Sequence, residues 1–138
     1  MHGRIHSYTM YDVTEAIRSP ARETENWEAQ VRKGSLELAI LAILWQGRGY
    51  GLEILRNLEE GVSLVMAEGT VYPILARLKA DGLVTSEWVE SEEGGHPRKY
   101  YALTPLGRQR ARSMARYASE FFRKVGSLIE PLTKEGKP

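Results

Sequence analysis

The hydrophobic period of this chain changes twice, and the two changes limit the folds open to it. Up to Asp81-Gly82, apolar residues recur at spacings of three and four: Leu36, Ala39, Ile40, Ile43 and Leu44, then Ile54, Leu55 and Leu58, then Val71, Ile74, Leu75 and Leu78. That is the period of helices that bury one face. Leu83 to Glu90 (LVTSEWVE) instead has strand composition, Ser91 to Pro97 carries the turn residues Gly94-Gly95, and Arg98 to Leu103 (RKYYAL) reads as a second strand. Thr104-Pro105 restores the helix with an N-cap and a first-position proline, and the helical period runs on to about Ile129, before Pro131. Three helices, a hairpin and one long helix predict a mainly α fold with a small β-hairpin: a winged helix-turn-helix domain followed by a long C-terminal helix.

The helix limits follow from local signals. Ser19-Pro20 reads as the start of a short helix that Gly34 stops near Lys33. Ser35 caps the next, which Gly47 and Gly49 end. A second spans Tyr50 to Glu60, ended by Gly61, and a third about Thr70 to Ala80, ended by Asp81-Gly82. The expected organisation is a partly helical extension over 1–33, the winged-helix domain over 34–104, a dimerisation helix over 105–130 and a tail over 131–138. Thr70 as N-cap would put Pro73 third in its helix, where its missing N–H costs little.

Bulk properties exclude several classes. The 138 residues suit one domain. With no cysteine there is no disulfide framework, thiolate metal site or thiol catalysis. The longest apolar run, Leu36 to Trp45, is too short to span a bilayer, and the first residues lack the apolar core of a signal peptide, so a cytoplasmic protein is expected with no membrane partner. His2 and His6 have no third ligand beside them and His96 stands alone, so no metal or other cofactor is expected. Gly47 to Gly51 lacks the lysine of a phosphate loop, and no serine has a histidine and carboxylate in a recognisable arrangement. An enzyme is not expected. The net charge is only +1, yet between Arg98 and Lys124 the basic residues Arg98, Lys99, Arg108, Arg110, Arg112, Arg116, Arg123 and Lys124 face one acid, Glu120. That leaves a local positive field, suited to nucleic acid.

Four stretches carry a family resemblance. Glu68-Gly69-Thr70-Val71-Tyr72-Pro73-Ile74-Leu75-Ala76-Arg77-Leu78 closely resembles the recognition-helix signature of the PadR family of transcriptional regulators. Gly49-Tyr50-Gly51, Asp81-Gly82-Leu83-Val84 and Arg98 to Gly107 (RKYYALTPLG) match in order. The similarity covers about Lys33 to Lys124. It implies a cytoplasmic homodimer that represses transcription and is released by a small, often aromatic or hydrophobic effector. Some multidrug-binding relatives carry a tryptophan on the last helix; this chain has none there.

On that reading the third helix enters the major groove of double-stranded DNA and the hairpin lies beside the backbone or minor groove. Tyr72, Arg77 and Lys79 fall on or near its open side, with Thr70 at its start. Arg77 is the candidate for paired hydrogen bonds to guanine or phosphate. His96, Arg98 and Lys99 sit at or just after the wing tip, within reach of the sugar-phosphate backbone. Tyr50, in the motif that opens the second helix, joins them. The acids Glu90, Glu92 and Glu93 are expected to point away from DNA, Tyr100 and Tyr101 to face opposite sides of their strand, and Trp88 to pack within the wing.

Ala111, Met114, Ala118, Phe121, Val125 and Leu128 form a heptad seam for a second helix. Leu38 and Leu41, on the second apolar face of the first helix, are expected to face the other subunit. The homodimer would then read an inverted-repeat operator. Trp45, Tyr117, Phe121 and Phe122 are candidates for an effector pocket. The basic start of the last helix fits either a nearby phosphate or a solvated face. Composition alone does not separate a DNA-binding regulator from a winged-helix module that binds protein.

Overall fold

The computed structural model describes residues 20–64, 67–91 and 94–134. His2, His6, Glu92, Glu93 and the second half of the expected tail lie outside them. The elements are α1 (Pro20–Trp45), β1 (Gly49–Tyr50), α2 (Gly51–Val62), α3 (Glu68–Ala80), β2 (Val84–Val89), β3 (Arg98–Leu103) and α4 (Pro105–Thr133). The chain divides into two units, residues 1–36 and 37–138. In the first, the described residues are helical and Trp27 and Val31 are exposed.

In the second unit the strands form one antiparallel sheet in the order β1-β3-β2. Val84 pairs with Leu103 and Trp88 with Lys99, as a hairpin requires. The third strand was not expected: Gly49 and Tyr50 pair with Tyr101 and Tyr100. The core gathers Ile40, Leu41 and Leu44 of α1, Ile54 and Leu58 of α2, Val71, Leu75 and Leu78 of α3, and Leu83, Val84, Tyr101 and Ala111. Along β3, Tyr101 is buried and Tyr100 half-buried, as alternation predicts. Leu41 differs from expectation. Its own chain encloses it, so it offers no side chain to a second subunit.

Two helix breaks expected at glycine are absent. Gly34 lies inside α1, which runs unbroken from Pro20 to Trp45. Ser35 caps nothing: its hydroxyl donates to the Val31 carbonyl at 3.0 Å. A glycine inside a helix costs only about 1 kcal/mol against alanine, so helix formers on both sides carry it through. Gly61 likewise lies inside α2, and Ser63 takes the left-handed C-terminal conformation, at φ 56°. Gly82 does end α3, at φ 77°, with Leu83 N–H bonded to Leu78 C=O and Gly82 N–H to Lys79 C=O. This pair of bonds, with Leu83 and Leu78 both buried, is the Schellman motif.

α3 also starts earlier than expected. Ala67, not Thr70, precedes its first residue, so Pro73 is sixth in the helix. Proline there has no N–H for the Gly69 carbonyl; both residues are exposed, which leaves that carbonyl open to water. α4 continues through Pro131 to Thr133, past the end expected near Ile129.

The junction between α3, the hairpin and α4 is closely made. The Thr104 hydroxyl donates to the Gly82 carbonyl at 2.7 Å and accepts from the Gly107 N–H at 2.9 Å, while Thr104 N–H donates to the Leu83 carbonyl at 3.0 Å. A Cβ on Gly107 would collide with that same Leu83 carbonyl. We expect Gly107→Ala to destabilise the protein by about 1–3 kcal/mol through overpacking against backbone. Thr104→Ala should cost about 1 kcal/mol through the lost cap. Urea unfolding followed by circular dichroism checks both, and a wild-type midpoint for Gly107→Ala would refute the close packing.

Candidate nucleic-acid interface

The face of α3 that carries Tyr72 and Ala76 and the hairpin residues Trp88, Arg98 and Lys99 enclose a cleft of about 560 Å³. Tyr50, Gly51 and Leu52 line its side. The pairing of β1 with β3 brings the Tyr50 and Tyr100 rings edge to face, 5.3 Å apart. The Arg98 guanidinium lies 4.4 Å from the Tyr50 ring centroid, and that of Arg48 lies 4.7 Å from the Tyr100 ring. Cation–π contacts at exposed positions contribute about 0.5–1 kcal/mol each, enough to orient a long side chain. The ammonium of Lys99 sits 5.9 Å from the rings of both Trp88 and Tyr101.

Four cations around the hairpin and α3 fall into two sets. Arg48 is 3.6 Å from Glu87, and Arg77 Nη2 is 2.9 Å from Glu37 Oε1 on α1. Arg98 and Lys99 form no ion pair with any described residue, and both line the cleft. The phenol of Tyr72 reaches the backbone of Gly51 so closely that a Cβ on Gly51 would overlap it. Partial burial raises the Tyr72 pKa above its usual value, with a further push from Glu68. Tyr101 is raised by burial and then by Tyr72. Both phenols therefore stay neutral, able to donate a hydrogen bond, at physiological pH.

Of the residues picked out from the sequence, Tyr50, Tyr72, Arg98 and Lys99 come together in this cleft. Thr70 and Lys79 are exposed on α3 and His96 on the turn, outside the lining. Arg77 projects from the flank of α3 toward α1. The sequence reading missed Trp88. It was expected to pack within the wing and shares a sheet face with Val84, which is buried, yet Trp88 is 68 % exposed. The core ends before the strand does.

A second cavity, about 300 Å³, lies between α1 and α4, lined by Leu38, Ala42, Trp45, Gln46, Ala111, Arg112 and Ala115. The guanidiniums of Arg108 and Arg112 lie 4.7 and 5.5 Å from the Trp45 ring centroid. The basic start of α4 thus has an aromatic partner, which neither sequence reading considered. Tyr117, Phe121 and Phe122 do not line this cavity. Tyr117 stacks on Phe121 at 5.7 Å, and Phe121 meets Phe122 at 5.9 Å, all exposed along α4. On the heptad seam Ala111 is buried, Met114, Ala118 and Val125 are half-buried, and Phe121 and Leu128 are exposed.

The three-helix arrangement, the hairpin beside α3 and the basic cleft between them define a winged-helix DNA-binding protein. The chain belongs to the PadR-like family of transcriptional regulators, whose family model matches residues 40–113. A PadR-like transcription factor from Bacteroides fragilis is 40 % identical, with a TM-score of 0.61 over 75 % of this chain and 98 % of its own. A PadR family regulator from Eggerthella lenta is 27 % identical, with a TM-score of 0.70 over 80 % and 95 %. The transcriptional regulator Rv3488 of Mycobacterium tuberculosis is 40 % identical over 60 residues, 44 % of this chain. That match spans about half, 54 %, of the curated relative's length. The family is one of transcriptional regulators and not of enzymes. No described helix is long and apolar enough to cross a membrane.

The Arg77–Glu37 pair gives a direct test of α3. Both groups are partly exposed, so the pair contributes about 0–1 kcal/mol to stability. We expect Glu37→Gln to leave stability within about 1 kcal/mol of wild type and to strengthen duplex binding by up to about fivefold, by releasing a cation on α3. Unchanged affinity in an anisotropy titration would show that Arg77 stays off the DNA.

Proposed function

We propose that this protein is a sequence-specific repressor that binds an inverted-repeat duplex as a homodimer and is released by a small hydrophobic or aromatic effector. The observation that carries DNA binding is the cleft between α3 and the wing, where Arg98 and Lys99 lack ion-pair partners among the described residues. With α3 in the major groove and the hairpin toward the minor groove, these cations meet the phosphates between the grooves. Tyr72, Thr70 and Lys79 face the same strand or the adjoining base edges, and His96 extends the contact at the wing tip.

Dimerisation is supported by the seam on α4. Leu128 is 79 % exposed and Tyr117 70 %, an apolar stripe that a second α4 would cover. Leu38, half-buried on α1, lies within reach of such a contact. The domain scheme follows: residues 34–104 bind DNA and 105–130 join subunits. The effector reading rests on the cavity beside Trp45, which is apolar apart from Gln46 and Arg112. Tyr117, Phe121 and Phe122 would contribute from the dimer centre. The repressing sign follows the family resemblance.

Selection of bound duplexes from a random pool tests the whole reading. An enriched inverted repeat with half-sites about one turn, roughly 34 Å, apart is expected. The absence of enrichment would favour a protein partner instead. Arg98→Ala should weaken binding to all duplexes and reduce the slope of log affinity against log salt by about 0.9, since one phosphate contact is lost. An unchanged slope removes Arg98 from the interface. Phe121→Glu with Leu128→Glu should give monomers in sedimentation equilibrium; a dimer that persists would place the subunit contact elsewhere.

A further inference from the structure

We propose that Trp88 is a DNA-contact residue of the wing, its indole packing on the deoxyribose of the strand that runs through the cleft, and that it adds affinity which salt does not screen. This rests on the duplex-binding reading above. Among the described residues that line the cleft, Trp88 is the most exposed large apolar side chain, 68 % exposed where Val84, four residues earlier on the same sheet face, is buried. Its cross-strand partner is Lys99, whose ammonium lies 5.9 Å from the indole, and Arg98 is the next residue along β3. Across the cleft stand Tyr72 and Ala76 of α3, and no carboxylate among the described residues lines the space.

A DNA strand alternates charged phosphates with sugars whose C–H edges are apolar. The cleft offers both kinds of partner: the Lys99 ammonium beside the flat Trp88 ring on one hairpin face, with Arg98 at the edge of the same cleft. The strand separating the major groove from the minor groove is what must pass between a helix in one and a wing near the other. Cations alone would suffice for phosphates; an exposed tryptophan beside them is accounted for by the sugar. Contact with a sugar carries no base information, so the effect of Trp88 is uniform over sequences.

The test is a salt series of anisotropy titrations on two labelled duplexes, one enriched from the random pool and one of mixed sequence, with wild type, Trp88→Ala, Trp88→Phe and Lys99→Ala. Trp88→Ala should lose about tenfold in affinity on both duplexes with its salt slope unchanged, the loss expected for roughly 50–60 Å² of ring no longer removed from water. Trp88→Phe should recover most of that loss. Lys99→Ala should lose affinity with a slope smaller by about 0.9. Wild-type affinity for a folded Trp88→Ala overturns the proposal, and so does a loss confined to the enriched duplex, which would mean a base contact. A wild type that binds neither duplex overturns the DNA reading itself, a distinct outcome of the same titration. Should Trp88→Ala not fold, Trp27→Phe with Trp45→Phe leaves Trp88 as the sole tryptophan of three. Its quenching by acrylamide should fall when either duplex is added, and unchanged quenching overturns the contact.

Discussion

The Thr104 hydroxyl holds together the three elements on which the interface depends. It caps α4 by accepting from Gly107 and closes the end of α3 by donating to Gly82. A hydroxyl has one proton to give and lone pairs to accept with, so one side chain satisfies two helix termini at once. The backbone adds to it: Thr104 N–H bonds Leu83, and Gly107 lies so close to the Leu83 carbonyl that only a hydrogen fits. The Schellman turn at Gly82, the first residues of the hairpin and the first turn of α4 are thus fixed at one point. The angle between α3 and the wing, and so the cleft, follows from that point.

The second constraint is electrostatic. A chain with net charge +1 is an unpromising DNA binder by its total alone, and the structure shows how the local field is kept. Arg48 and Arg77 are matched to Glu87 and Glu37. Arg98 and Lys99 rest on aromatic faces instead. A ring orients a cation without cancelling its charge, so the guanidinium remains available to an incoming phosphate. The same device recurs at Trp45, beneath Arg108 and Arg112, where it offsets the unfavourable placing of cations near the start of a helix.

The glycines and prolines show how far local signals reach. Gly82 ended its helix because the following Leu83 is apolar and buried, which completes the Schellman motif. Gly34 and Gly61 had no such partner, and the helices ran through them. Pro73 was tolerated deeper in α3 than a first-turn rule allows because the carbonyl it leaves unbonded is exposed. Proline and glycine bias a backbone; whether they break it depends on what surrounds them.

The sequence by itself determined the order of the helices and hairpin from Ser35 onward, the second hairpin strand over Arg98 to Leu103, the apolar faces of α2 and α3, and the family. These follow from hydrophobic period and turn chemistry, which are local or repeat along one chain. It also marked Tyr50, Tyr72, Arg98 and Lys99, which the fold then assembled in one cleft. Only the tertiary structure decided that Leu41 turns into its own core, that Gly49-Tyr50 adds a third strand, that Arg77 is held by Glu37, and that Trp88 stands in the open. Each of these depends on which distant residue lies opposite, or on where the core stops along a strand. No period in the sequence encodes that distance, because alternation gives the face a side chain takes and not whether anything covers it.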